Sequence, residues 1–140
     1  MSTAENKALV RRMIEDVVNA RRLDLVDEVF AADYVARGRV VGLDAVRQAI
    51  ERHHSDLSSF RETIEEMIAE GDAVVVRLVV QGTHTGEMSI GGISVPATGK
   101  FVTWNGIAIL RVANGKITEE LGIGDNLGLL RQLGVLPLSG

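Results

Sequence analysis

The stretch that most limits the possible folds runs from residue 60 to residue 124, where apolar side chains recur at every second position through four segments, 60–69, 73–85, 99–112 and 116–124. Segments of that length and period are strands. Two of the links between them are short, "EGD" at 70–72 and "ANGK" at 113–116. The second carries an Asn-Gly pair, which accepts the left-handed backbone of a two-residue hairpin turn. Strands joined this way lie antiparallel, so this half of the chain is a meander.

The first sixty residues follow the helical period instead. Ser2 and Glu5 have capping-box spacing, and Leu9, Met13, Ile14, Val17 and Val18 fall on one face, which predicts a helix to about Asn19. Asp24 is expected to cap a short second helix through Phe30, and "DYVARGRVV" reads as a strand or extended edge ending at Gly42. A third helix is expected from Leu43 to His54, with Val46, Ala49 and Ile50 inward, and a last short one over 126–133. Helices followed by hairpin-linked strands imply an α+β fold with the helices on one face of an antiparallel sheet. A strongly curved sheet of this kind closes on its helices as a cone, whose open end leaves a pocket. Between the second and third long strands, "GEMSIGGISVPATG" is expected to be a mobile loop that gates the pocket, with Met88, Ile90, Ile93 and Val95 as apolar cover.

Composition removes several classes of function. At 140 residues, 46% hydrophobic and 24% charged, residues 1–140 suit one globular domain, and the absence of cysteine excludes thiol chemistry and disulfides. Glu5, Lys7, Arg11, Arg12, Glu15 and Asp16 interrupt the amino terminus, so neither a signal peptide nor a membrane span is expected and the chain is read as cytoplasmic. A net charge of −4 argues against nucleic acid as a partner. His53 and His54 are adjacent on a helix and diverge by about 100 degrees, so no metal site is expected from them. The glycines of "GIGDNLG" fit neither the dinucleotide fingerprint nor the phosphate loop. Strand sequences such as "AVVVRLVV" are apolar on both faces while helices cover only one, which predicts a homodimer or higher homo-oligomer.

One acid invites a chemical reading. Asp125 stands between an apolar strand and an apolar helix, with Leu121, Ile123 and Leu127 as possible walls. It is read either as a carboxylate whose proton affinity is raised by apolar surroundings or as an ordinary helix N-cap.

The run "GTHTGE…GISVPATGKFVTWNGIAILRVANGKITEE…GDNLGLLRQLG", with "DLVDEVFAADYV" and "IAEGDAVVVR" ahead of it, resembles the SnoaL-like polyketide cyclases of the nuclear transport factor 2-like superfamily. The likeness covers nearly the whole chain and is most specific at "PATGK", "NGKITE" and "DNLGLLRQLG". It implies a cone-shaped α+β barrel that closes a ring in a small hydrophobic or aromatic polyketide-like ligand by intramolecular aldol condensation, without cofactor or metal. An aspartate at the end of the last long strand acts as acid and base in that family, and the matching position here is Asp125. The chain departs from the family pattern in two places. Relatives commonly read "EHW" where Glu119, Glu120 and Leu121 stand, and often "NH" where Ala36 and Arg37 stand.

The remaining candidates follow from that frame. Tyr34 and Arg37 lie on the segment that borders the pocket, and Arg37 suits a carbonyl oxygen or developing oxyanion. His84 is a candidate for assisting proton transfer, and Trp104 for a flat wall against an aromatic ligand. Glu120 is the candidate second carboxylate if its side chain turns inward, but a regular strand would place it on the face opposite Asp125. The alternatives to a cyclase are a ligand-binding protein without turnover, or an enzyme that hydrolyses an epoxide or closes an ether ring.

Overall fold

A computed structural model describes residues 2–136. The first helix, α1 (Thr3–Arg12), starts in the expected capping box, with the Ser2 hydroxyl accepting from Glu5 N at 3.1 Å and the Glu5 carboxylate accepting from Ser2 N at 3.2 Å. It does not stay α-helical to its end but widens into a π-helical segment over Met13–Asn19. Such widening recurs near functional sites. Asp24 is not a cap: Arg22 takes its carboxylate at 3.0 and 2.9 Å, and a 3-10 turn (Leu23–Leu25) leads into the four-residue α2 (Val26–Val29).

The segment expected to be one edge is a hairpin, β1 (Phe30–Ala36) and β2 (Arg39–Val40), turned by Arg37 and Gly38 at φ 53° and 78°. After α3 (Gly42–Asp56) come the long strands β3 (Leu57–Glu70) and β4 (Ala73–His84). A small hairpin of β5 (Met88–Ile90) and β6 (Ile93–Val95) precedes β7 (Phe101–Ala113), β8 (Lys116–Gly124) and α4 (Asn126–Gln132). The sheet order is β2-β1-β8-β7-β4-β3, with only β1 and β8 parallel. The Asn-Gly signal is realised as expected, since Asn114 and Gly115 take φ 52° and 73° and pair Ala113 with Lys116.

Val10, Ile14 and Val17 from the first helix and Val46 and Ile50 from α3 bury against Val74, Val76, Leu110 and Ile117 of the sheet. Each fully buried aliphatic side chain contributes roughly 1.5–3 kcal/mol. Two amide side chains stand in for missing neighbour strands. Asn19 caps the free edge of β3 by donating to Glu62 O and accepting from Glu62 N, both at 2.8 Å. Gln132 does the same for Thr103 of β7, below the point where β8 begins to pair, at 2.8 and 3.0 Å.

The segment 86–99 corrects an expectation. Its Met88, Ile90 and Val95 are buried in the main core, and no residue of it lines either large cavity described below. These three side chains close the core rather than cover a ligand, and Ile93, the fourth, is exposed.

Candidate active site

Two β-bulges decide which side chains enter the cone. In β3, Ser58 pairs with Thr83 and Arg61 with Gln81, so one extra residue is accommodated where Ser59 turns to φ 55°. Leu57 and Phe60, three apart, therefore both point inward, and Glu62 follows Phe60 onto the inner face. In β8, Ile117 opposes Val112 and Glu119 opposes Arg111, leaving Thr118 as the extra residue. Ile117 is fully buried, and the changed parity beyond Thr118 turns Glu120 inward.

The inner space is a cavity of 380 Å³ walled by Ile14, Val18, Phe30, Val76, Leu78 and Leu110, among others. A wider mouth of 430 Å³ carries Arg37, Phe60 and Trp104, and the two spaces share Tyr34, Arg52, His53, Glu62, Leu78 and Glu120. These are ordinary dimensions for a small-molecule site.

The polar groups inside are few. The buried Tyr34 hydroxyl donates to the Glu120 carboxylate at 3.0 Å. Burial and the neighbouring Glu120 charge raise the tyrosine well above its ordinary value, so it remains a donor. Burial also raises Glu120, and the Tyr34 hydrogen bond opposes part of that rise. Glu62 has no donor of this kind among the described residues. Desolvation, then the charge of Glu120, pushes it up to about 7. One face of the His53 ring lies flat on Phe60, ring centroids 5.3 Å apart and planes at 12°, while the residue as a whole is exposed. Desolvation and the charges of Arg52 and His54 lower it.

Tyr34, Arg37, Trp104 and Glu120 thus meet at the cavity or its mouth, whereas two other candidates do not. His84 is completely buried, its Nδ1 accepting from Thr98 N at 3.2 Å and lying 2.9 Å from Thr98 Oγ1. A backbone N–H only donates, so the ring proton sits on Nε2, which finds no partner among the described residues. His84 ties down the "PATGK" segment and does not line the cavity. Asp125 is exposed and outside both cavity linings. It caps α4, its Oδ1 accepting from Gly128 N at 2.9 Å, and Gly128 has no Cβ to obstruct the folded-back carboxylate. The walls expected around it are open, with Leu121 57% and Ile123 79% exposed. Of its two readings the cap is realised, and the expectation that it lines an apolar cavity is corrected, because the bulge parity sends residue 120 inward and residue 125 outward.

Glu62 is absent from the sequence-based candidates. A signal for it exists in "FRETI", where a carboxylate occupies the position between Phe60 and Ile64 on a face of otherwise apolar alternation. Its desolvation has a measurable cost. A carboxyl raised on folding stabilises the native state only while protonated, so this stability is complete below its ordinary value of 4.5 and is lost as pH rises through about 7. Glu62→Gln is therefore expected to match the parent near pH 4 and to exceed it by roughly 3 kcal/mol near pH 8, read from urea unfolding at both pH values. Equal stability of the two proteins at both pH values contradicts a desolvated Glu62.

Among the described residues no helix is long and apolar enough to cross a membrane. Aklanonic acid methyl ester cyclase DnrD of Streptomyces peucetius is 29% identical over 140 residues, covering 90% of this chain and 88% of that protein. The structure of TsrD from Streptomyces laurentii superimposes with a TM-score of 0.84 at 28% identity, covering 97% of this chain and 99% of that one. A SnoaL-like polyketide cyclase of Agrobacterium tumefaciens shares the fold, with a TM-score of 0.82 at 19% identity over 96% of this chain and 100% of its own. The model of the SnoaL-like polyketide cyclases matches residues 8–133, from within the first helix to the end of α4, and with a cone and an inward carboxylate already in hand this match establishes that the chain belongs to that family.

Proposed function

We propose that the protein is a cofactor-independent cyclase that closes a ring in a polyketide-like carbonyl compound by intramolecular aldol condensation, with Glu120 as the base. The observation that carries this reading is the Glu120 carboxylate held at 3.0 Å by Tyr34 inside an apolar cavity. A proton between two carbonyls is acidic enough for a carboxylate whose proton affinity has been raised by desolvation. Tyr34 aims that carboxylate, Trp104 offers a flat wall to an aromatic skeleton, and Arg37 at the mouth suits a carbonyl oxygen. Asp125 supplies the helix cap on this reading, and Glu120 takes the chemical role that the family likeness suggested for it.

The test is conversion of aklanonic acid methyl ester by the purified protein, without added cofactor. Aldol closure moves one hydrogen from carbon to oxygen, so the expected product has one more ring and an unchanged mass. Binding without conversion would favour a ligand carrier. The presence of two carboxyls, Glu62 and Glu120, in one cavity favours epoxide opening as the second reading. Turnover of an epoxide with incorporation of solvent oxygen, and none of the ester, would replace the aldol reading.

A further inference from the structure

We infer that Glu62 is a second catalytic residue of this site, the proton donor to the alkoxide that ring closure creates, so that acid and base are separate carboxyls. The inference rests on the aldol reading above and adds a residue to it.

Three observations carry it. Glu62 lines both the cavity and its mouth together with Glu120, so a ligand that fills this space meets walls carrying both. Its backbone N–H and C=O are both held by the Asn19 amide, at 2.8 Å each, along the free edge of a strand already bent at Ser59, which holds the side chain's direction. The two carboxyls also have unlike surroundings. Glu120 accepts a hydrogen bond from Tyr34, which favours its ionised form, while the Glu62 carboxyl has no donor among the described residues and faces the Glu120 charge. Neighbouring acids whose surroundings differ in this way divide into an ionised base and a protonated acid. The other titratable or charged groups around this space are Tyr34 from β1, Arg37 from the β1–β2 turn, and Arg52 and His53 from α3.

The step balances with these residues alone. Glu120 takes the proton from the carbon between two carbonyls, and the resulting enolate carbon bonds to the receiving carbonyl carbon. The C=O π pair moves to oxygen, and that oxygen receives the Glu62 proton. The enzyme is left with Glu120 protonated and Glu62 ionised. Transfer of one proton from Glu120 to Glu62 through water restores it.

The decisive variants are Glu62→Gln and Glu120→Gln, assayed in D2O with aklanonic acid methyl ester, following both loss of the substrate's acidic C–H and appearance of the ring-closed product. Glu62→Gln is expected to retain C–H exchange within a few-fold, to lower product formation by ~100-fold or more, and to abolish the alkaline fall of the pH–rate profile. Product at the parental rate with an unchanged profile overturns the inference, as does parallel loss of exchange and product. A residue that served only the fold would not separate exchange from closure. Carbon-13 NMR of the glutamate carboxyls in the ligand-free protein distinguishes failure of the aldol reading from failure of this one. Should the parent protein leave the ester untouched, the aldol reading falls for that substrate, and the carboxyl titration still decides whether Glu62 holds a proton at neutral pH. A Glu62 that titrates in the ordinary carboxylate range overturns the inference. One that titrates above it, and moves down in Glu120→Gln, upholds the division of roles.

Discussion

Glu120→Gln is expected to reduce ring closure by ~10²- to 10⁴-fold while the protein stays folded and still binds its ligand. The amide keeps an oxygen that can accept the Tyr34 hydroxyl, so the 3.0 Å contact and the cavity wall survive the change. What is lost is the capacity to take a proton. Asp125→Asn is the matched control, because asparagine caps a helix about as well as aspartate and retains an oxygen for Gly128 N. Its turnover is expected to remain within a few-fold of the parent. The pair separates the carboxylate in the middle of β8 from the one just beyond its end. Loss of activity in Asp125→Asn with Glu120→Gln unaffected would return the base to Asp125, and parental activity in both variants would remove acid-base catalysis from either.

The second large effect is on assembly. On the outer face of the sheet Ile107 pairs across the strands with Ile123, and Ile109 with Leu121. The four are 40–79% exposed and form one apolar square, with Arg111 and Glu119 as the next cross-strand pair at its edge. Helices and core occupy the other face, so nothing among the described residues covers this square. We propose that a second copy does, in a two-fold contact that sets each square against its equivalent. Light scattering of the parent at micromolar concentration is then expected to give about 30 kDa, twice the chain mass of 15.1 kDa. Leu121→Asp combined with Ile123→Asp is expected to give about 15 kDa, since it would bury four like charges in the dimer. A parent protein near 15 kDa across micromolar concentrations rules the dimer out.

Much of the architecture was legible because it is encoded by neighbours in the chain. The Ser2–Glu5 capping box needs residues three apart, and the hairpin at Asn114–Gly115 needs two residues that tolerate positive φ. Period-two alternation over 73–85 and 99–112 likewise needed no knowledge of the partner strand to predict long strands. Errors began where a local signal had a local competitor. Asp24 has a side chain suited to capping, but Arg22 two residues earlier offers a charged partner at 3.0 and 2.9 Å, and the carboxylate goes there. Residues 86–99 have the glycines of a mobile loop, yet Met88, Ile90 and Val95 find buried positions, which ties the segment to the core.

The chemistry of the site was less legible, for a physical reason. In a regular strand the inward or outward direction of a side chain is set by parity alone, and a single extra residue reverses it for everything beyond. The extra residue at Thr118 turns Glu120 into the cone, and the one near Ser59 does the same for Glu62. Neither bulge has a signature in the amino acids, since each arises where a curved sheet must stay paired with its neighbours. The residue types themselves determined an α+β chain with long hairpins, a helix cap at Ser2 and acids available along the strands. The alternation of Phe60 and Ile64 marks the face that Glu62 shares, but tertiary pairing alone decided that this face, and Glu120 beyond its bulge, turn into the cavity, because burial, and with it the shift in proton affinity, depends on a parity that only the assembled sheet defines.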